Sequence, residues 1–279
     1  MIAMKHLRYL TILGMVLFSL YACSKKDTDD LVAIPDNFIT IPDPAFEEEL
    51  IAQGIDSDGI VNQRLLKEDA SAATTLEMYN FYITDLSGIE GFVNLEKLYL
   101  QGSGIQTIDV SKNVLLEELW LYGNELKEIH GVASLERLEY LDLTMNYFDE
   151  FTLENSSVER LLMSTNELTQ FDVSGAENLK ILNIGGNHLT AVDLSENALI
   201  EAVALGGNAI TQLNFGTAAN LTHIECFSNN LSSLDVSNFP NLRLLSANRN
   251  PNLTCIKIAE SQIMELRLSD YQQATPECN

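Results

Sequence analysis

The segment "LKILNIGGNHL", residues 179–189, joins an alternating apolar run to two glycines and an asparagine. In isolation it fits either a strand that leads into a phosphate-binding glycine loop or one unit of a repeat. Alignment on Asn187 decides between them, because the pattern recurs eight more times at spacings of 20 to 22 residues. We call the aligned position the Asn column; it holds Phe81, Ser103, Asn124, Asn146, Asn166, Asn187, Asn208, Asn229 and Asn250. No helix is predicted after the glycines to receive a phosphate, so the phosphate-loop interpretation fails.

The consensus LxxLxLxxNxL resembles that of internalin-like leucine-rich repeats, in about nine units of 21 residues over residues 73–253. The resemblance implies a right-handed solenoid with a parallel β-sheet on its concave face. The pattern supports this independently, because alternate strand side chains point inward and neighbouring units must stack to bury them. The Asn side chains are expected to bond backbone groups of adjacent turns. A unit this short leaves little room for a helix, so the convex side should be mostly extended and turn structure.

Acidic residues recur on the convex side at the start of a DVS or DLS triplet. In isolation these carboxylates resemble catalytic groups, but their repetition indicates turn residues. They are Asp109, Asp172, Asp193 and Asp235.

The N-terminus predicts export. Residues 1–22 combine a basic start with an apolar stretch that is too short to span a membrane, and they read as a signal peptide. The stretch ends in "LYAC", which resembles the lipobox of bacterial lipoproteins, so Cys23 is the expected lipid attachment site. Residues 23–37 form a predicted flexible tether, whose Lys25-Lys26-Asp27 run resembles the export signal of Bacteroidetes surface lipoproteins. We therefore expect a lipid-anchored outer-membrane protein, exposed at the cell surface, that contacts the membrane only through its lipid.

Capping segments are predicted at both ends of the repeats. Residues 38–72 resemble the segment before such repeats in flavobacterial surface proteins and contain a short amphipathic helix from about residue 44 to 53. Its apolar face is expected to carry Phe46, Leu50 and Ile51. Residues 254–279 form a predicted C-terminal cap.

Three cysteines follow Cys23 in the sequence. Cys255 and Cys278 lie in the predicted C-terminal cap and are expected to form a disulfide in an exported protein. Cys226 occupies an inward Leu position and therefore reads as a core residue.

The composition argues against several functions. The formal net charge of −24 opposes nucleic-acid binding, which depends on Lys and Arg. Outside the signal peptide the histidines are His130, His188 and His223, which lie on different turns without a catalytic partner. We therefore predict neither an enzyme nor a cofactor.

The loop "GIDSDGIVN", residues 54–62, resembles a calcium loop with Asp56 and Asp58 as ligands. Gly54 and Leu65 stand where two further acidic ligands belong. An acidic turn is therefore the preferred interpretation, and no metal site is predicted.

The concave face carries the candidate binding site. Outward strand positions of four consecutive units place five aromatic and three acidic residues close together, because neighbouring strands are only about 4.8 Å apart. These residues are Tyr79, Tyr99, Trp120, Tyr122 and Tyr140, with Glu77, Glu118 and Asp142 alongside. Aromatic residues also suit strands for structural reasons, but an exposed group of them more often marks an interaction site. Around Asn187 and Asn208 the glycines predict a bare face.

The sequence therefore predicts a non-catalytic, lipid-anchored module that binds a protein, peptide or glycan through its concave face, with the chain as a monomer. The alternative is a structural lipoprotein of an envelope complex.

Overall fold

A computed structural model describes residues 36–278. The predicted signal peptide, Cys23 and nearly all of the tether lie outside this range. Among the described residues no helix has the length and hydrophobicity that a membrane crossing requires.

The N-terminal segment forms a small cap. Strand β1 pairs antiparallel with β2, and each strand is followed by a helix. The bounds are Phe38–Thr40 for β1, Pro44–Ala52 for α1, Arg64–Leu66 for β2 and Lys67–Ala72 for α2. Helix α1 begins where the Asp43 carboxylate accepts hydrogen bonds from the N–H groups of Ala45 and Phe46.

The buried face of α1 differs from the prediction at one position. Phe46 and Leu50 are fully buried as predicted, whereas Ile51 is only half-buried and Glu47 is fully buried instead. The Glu47 carboxylate accepts hydrogen bonds from the N–H groups of residues 62–64. This acid is buried because it holds the loop before β2, a role that an apolar pattern cannot reveal.

A ten-stranded parallel sheet forms the concave face of the solenoid, and we call it the main sheet. Its strands are β3 Thr75–Met78, β4 Lys97–Leu100, β6 Glu118–Trp120, β8 Tyr140–Asp142, β10 Arg160–Leu162, β12 Ile181–Asn183, β14 Ala202–Ala204, β16 His223–Glu225, β18 Leu244–Ser246 and β20 Glu265–Arg267. Every strand pairs in register with the strand of the next turn, so equivalent residues form columns across the sheet.

The convex side is extended and turn structure, as predicted. Short strands pair there in small parallel sheets, with single turns of 3₁₀ helix at Ile89–Gly91 and Val132–Ser134. These strands are β5 Thr107–Asp109, β7 Glu128–His130, β9 Glu150–Thr152, β11 Gln170–Asp172, β13 Ala191–Asp193, β15 Gln212–Asn214, β17 Leu234–Asp235, β19 Cys255–Lys257 and β21 Gln273–Thr275.

The Asn column links adjacent turns as expected. Asn187 donates to the carbonyl oxygens of Ile184 in its own turn and Met163 in the preceding turn, at 2.9 and 3.0 Å. Its Oδ1 accepts the N–H of Leu168 at 3.0 Å. The same arrangement recurs from Asn124 to Asn250, so the amides replace backbone bonds that the bend removes.

The first position of the Asn column does not take part in this network. Phe81 is 65% exposed, and its ring contacts that of Tyr82 with centroids 4.1 Å apart. Ser103 is buried and donates to the Asn80 carbonyl oxygen at 3.0 Å.

The predicted C-terminal cap contributes a tenth strand to the main sheet. Strand β20 continues the register of β18, although no Asn follows it at the expected distance. Gln272 serves in place of the Asn, because its longer side chain donates to the Ala247 carbonyl oxygen at 3.0 Å. Cys255 and Cys278 form a disulfide with their Cα atoms 5.8 Å apart, and this bond ties the end of the last turn to β19.

Candidate functional site

Three aromatic side chains lie in a row on the solvent side of the main sheet. Tyr99 and Trp120 are directly opposite each other on β4 and β6, and their ring centroids are 5.7 Å apart at an interplanar angle of 29°. Tyr140 reaches Trp120 diagonally from β8, with ring centroids 4.1 Å apart and an angle of 20°. The Arg160 guanidinium lies 5.5 Å from the Tyr140 ring centroid. We call Tyr99, Trp120 and Tyr140 the aromatic row.

Glu118 holds this row in place. Its carboxylate accepts hydrogen bonds from Lys97 Nζ at 2.5 Å, Tyr99 OH at 2.9 Å and Trp120 Nε1 at 3.1 Å. The bond from Lys97, supported by those from Trp120 and Tyr99, keeps the pKa of Glu118 below its usual value. Burial raises the pKa of Tyr140 to about 12. Hydrogen bonds to Glu118 thus position Tyr99 and Trp120, and stacking against Trp120 positions Tyr140.

The structure brings together only part of the predicted site. Glu77 is exposed on β3 in register with Tyr99, so it borders the aromatic row. Asp142 is only 6% exposed, and its carboxylate accepts the N–H of Thr144 at 2.9 Å. Asp142 therefore shapes the end of its own strand and offers little charge to a ligand.

Sequence reasoning missed several exposed apolar residues beside the row. Tyr79 and Tyr122 were predicted and are 62% and 39% exposed. The Tyr122 hydroxyl donates to Met145 Sδ at 2.9 Å, and both residues flank positions of the Asn column. We call the whole set the flanking cluster: Tyr79, Phe81, Tyr82, Tyr122, Met145 and Tyr147. Three of the four missed residues, Tyr82, Met145 and Tyr147, directly precede or follow a position of the Asn column, and the fourth, Phe81, occupies such a position itself. Large apolar residues at these places are the signal that could have found them.

The predicted bare face around Asn208 is covered in part. The Phe227 ring lies over Gly206, where an added Cβ would meet ring atoms at 2.5 Å. Gly206 is buried for this reason, and the prediction was wrong at this turn. Gly206 must stay small because the Phe227 ring of the next turn fills the space that a side chain would need. The residues of a single column do not reveal this contact between turns.

The remaining side chains that could carry chemistry, a cysteine, the repeated carboxylates and a histidine, have structural roles. Cys226 is fully buried, and burial raises the pKa of its thiol to about 12, so it is a core residue as predicted. The DVS and DLS carboxylates accept N–H bonds within their own turns, as Asp193 does from Ser195 at 2.9 Å. His188 pairs with Glu167 at 2.8 Å on the surface. Among residues 36–278 no three Asp, Glu, His or Cys side chains are grouped to hold a metal ion.

The acidic loop contains one unusual carboxylate. Asp56 is 5% exposed; its Oδ1 accepts the N–H of Asp58 at 3.3 Å, whereas Oδ2 has no hydrogen-bond partner within the described range. Burial raises the pKa of Asp56, and the charges of Asp58, Glu47 and Asp69 act in the same direction.

Structural comparison places the protein among leucine-rich-repeat solenoids. The functional domain of InlJ from Listeria monocytogenes aligns with a TM-score of 0.58 and 24% identity over 79% of this chain and 56% of that one. Internalin C2 of the same organism aligns with a TM-score of 0.53 and 22% identity over 83% of this chain and 88% of that one. The leucine-rich-repeat domain of APL1B aligns with a TM-score of 0.60 and 18% identity over 72% of this chain and 67% of that one. At these identities the similarity establishes the fold, an internalin-like leucine-rich-repeat solenoid. The chain spans little more than half the length of the InlJ domain. No protein-family model and no curated protein matches the sequence.

Proposed function

We propose that this protein is a non-catalytic binding module that engages a protein partner through its concave face, with the aromatic row at the centre of the interface. The observation that carries the proposal is the stack of Tyr99, Trp120 and Tyr140 across three adjacent strands. Aromatic residues of this kind supply most of the binding energy in protein interfaces.

The geometry of the stack favours a protein over a glycan. A sugar ring binds against a free aromatic face, but both faces of Trp120 are taken by Tyr99 and Tyr140. The ring edges remain available and suit a broad apolar surface. Because Glu118 fixes the rings in advance, binding orders few side chains and loses little conformational entropy.

The surroundings of the aromatic row extend the proposed interface. The flanking cluster adds exposed Tyr, Phe and Met side chains, residue types that are enriched in interfaces. The chain carries 40 acidic and 16 basic residues, and Glu77 stands exposed beside the row. A partner with a basic patch is therefore favoured, because charge complementarity accelerates and orients association.

We also propose that the module is exported and held at the outer membrane by a lipid on Cys23, facing outward. The support for this is the apolar segment and "LYAC" motif at the N-terminus. In that setting the solenoid presents its concave face to extracellular or envelope proteins. The structural-lipoprotein alternative differs in requiring a constant partner at fixed stoichiometry.

The experiment is a parallel screen of the purified protein against a protein array and a glycan array, repeated with Trp120→Ala, Tyr122→Ala and Leu199→Ala. Leu199 is the matched control, since it is 40% exposed, close to the 39% of Tyr122, and lies outside the main sheet. We expect binding to a protein that the first two variants weaken by at least about tenfold, roughly 1.4 kcal/mol, and that Leu199→Ala leaves unchanged. Binding to glycans alone, or equal binding by all variants, would contradict the proposal.

A further inference from the structure

The last strand of the main sheet ends the solenoid with an open apolar side. Leu266 in β20 continues the inward column of Leu245 and Ile224, both of which are fully buried. Leu266 itself is 41% exposed, and Ile263 just before the strand is 95% exposed. A terminal turn that is stable alone has a polar outer side, and this one does not.

The backbone of β20 is also open. The N–H of Glu265 donates to the Arg243 carbonyl oxygen at 2.8 Å, and the Arg267 carbonyl oxygen accepts the N–H of Ala247 at 3.0 Å. In a parallel strand alternate residues direct both backbone groups to the same neighbour. The N–H and C=O of Leu266 therefore point away from β18, into the space beyond the sheet.

The opposite edge of the same sheet is closed. On β3 the equivalent outward groups belong to Glu77, and the Gln53 side chain at the end of α1 binds both of them. Its Nε2 donates to the Glu77 carbonyl oxygen at 2.9 Å, and its Oε1 accepts the Glu77 N–H at 3.3 Å. This comparison shows the kind of protection that an edge strand ordinarily receives and that no residue between 36 and 278 gives to β20.

We propose that β20 pairs antiparallel with β20 of a second copy of this chain, across a two-fold axis at Leu266. The sequence of the strand, Glu265-Leu266-Arg267, is complementary to itself in this arrangement. Each Glu265 lies opposite Arg267 of the second copy, and the two Leu266 residues exchange both backbone hydrogen bonds. Such a contact is isologous and therefore closed, so it produces a dimer and not a fibre.

The side-chain directions agree with this pairing. An axis perpendicular to the sheet keeps both concave faces on the same side and brings the two open cores together. Met264 and Leu268, which are partly buried against the core, then lie opposite each other across the interface. The proposal goes beyond the proposed function, because it concerns the end of the solenoid, and it replaces the expectation of a monomer. Two aromatic rows on one continuous sheet would permit bivalent binding.

Charge reversal tests the pairing without disturbing the core. Glu265 and Arg267 are exposed, so Glu265→Lys and Arg267→Glu should fold normally while placing like charges opposite each other. The double variant restores the attraction across the interface and within the strand, where Arg267 Nε lies 2.9 Å from Glu265 Oε1. The controls are Glu201→Lys and Arg137→Glu, exposed charges of other turns.

The measurement is analytical ultracentrifugation of each purified variant over a wide range of concentration, with circular dichroism to confirm folding. We expect the parent protein to dimerise, each single variant to weaken the dimer by about tenfold or more, and the double variant to recover it. A parent protein that stays monomeric would overturn the proposal and assign the edge to another partner. A dimer that the single reversals leave intact, or that the double variant fails to recover, would overturn it as well.

Discussion

The indole Nε1 of Trp120 donates a hydrogen bond to the Glu118 carboxylate at 3.1 Å, and the same carboxylate binds Tyr99 and Lys97. One acid thus sets the position of two rings on neighbouring strands. The aromatic row depends on the hydrogen bonds of Glu118 as well as on the contacts between its rings.

Replacement of Glu118 by Ala should loosen the row. We expect the fluorescence of Trp120, the single Trp of the chain, to shift in wavelength. We also expect the free energy of unfolding at neutral pH to fall by about 1–2 kcal/mol, since three hydrogen bonds to a charged group are lost. Glu117→Ala, an exposed neighbour, is the control and should change neither quantity.

The contribution of Glu118 should depend on pH in a defined direction. Because its pKa is lowered in the folded protein, the stabilisation is present above the ordinary value of 4.5 and is lost as the pH falls through the folded pKa. The stability difference between Glu118→Ala and the parent protein should therefore shrink in acid. A difference that grows as the pH falls would contradict this assignment.

Loss of a buried amide in the Asn column should be costly. Asn187→Ala removes three hydrogen bonds and leaves the partners in Met163, Ile184 and Leu168 buried, so we expect a loss of about 2–4 kcal/mol in denaturant unfolding. Asn178→Ala, on the surface just before β12, should cost almost nothing. Similar losses for the two variants would show that the amide ladder does not hold the turns together.

The residue before each Asn adopts a left-handed backbone conformation, and Thr is poorly suited to it. Thr165 has a φ of 59°, close to the 68° of Gly186 one turn later. Thr165→Gly should therefore raise the free energy of unfolding by about 1 kcal/mol, because a β-branched residue is strained there. Ser164→Gly at the preceding position should instead lower it slightly, since ordinary backbone gains nothing from glycine. The melting temperatures of both variants test this prediction. A lower melting temperature for Thr165→Gly would show that Thr165 is not strained.

Neutralising Asp56 should stabilise the cap at neutral pH. Its raised pKa means that the charged form is disfavoured on folding, a cost that appears as the pH rises from 3.8 through the folded pKa. Asp56→Asn keeps the oxygen that accepts from Asp58 and removes the charge. We expect a higher melting temperature at neutral pH and no gain below pH 3.8. Destabilisation at neutral pH would contradict the raised pKa of Asp56.

The repeat frame predicted most of the fold because its period sets which residues stack. Position within the frame was enough to place Tyr99, Trp120 and Tyr140 on one face and Cys226 in the core. The frame did not predict the amide of the last turn. There Gln272, which lies one residue after the expected Asn position and is one methylene longer, donates to the preceding turn.

Contacts between columns escaped prediction because a periodic pattern describes one column at a time. The Phe227 ring over Gly206 and the burial of Asp142 both depend on what the neighbouring turn presents. Amides on the convex side were also missed, since Asn113, Asn155 and Asn197 recur only in alternate turns. The repeat frame therefore placed these aromatic residues on one face, whereas their hydrogen bonds to Glu118 and their stacking required the structure.

The most direct test of the proposed interface uses the single Trp as a reporter. A protein ligand from the array is titrated into the parent protein and the Leu199→Ala control while Trp120 emission is recorded. We expect a change in Trp120 emission that saturates with the same midpoint as an independent binding measurement, because the partner covers the ring edges of the row. Saturated binding with unaltered Trp120 emission would show that the aromatic row is not the binding site.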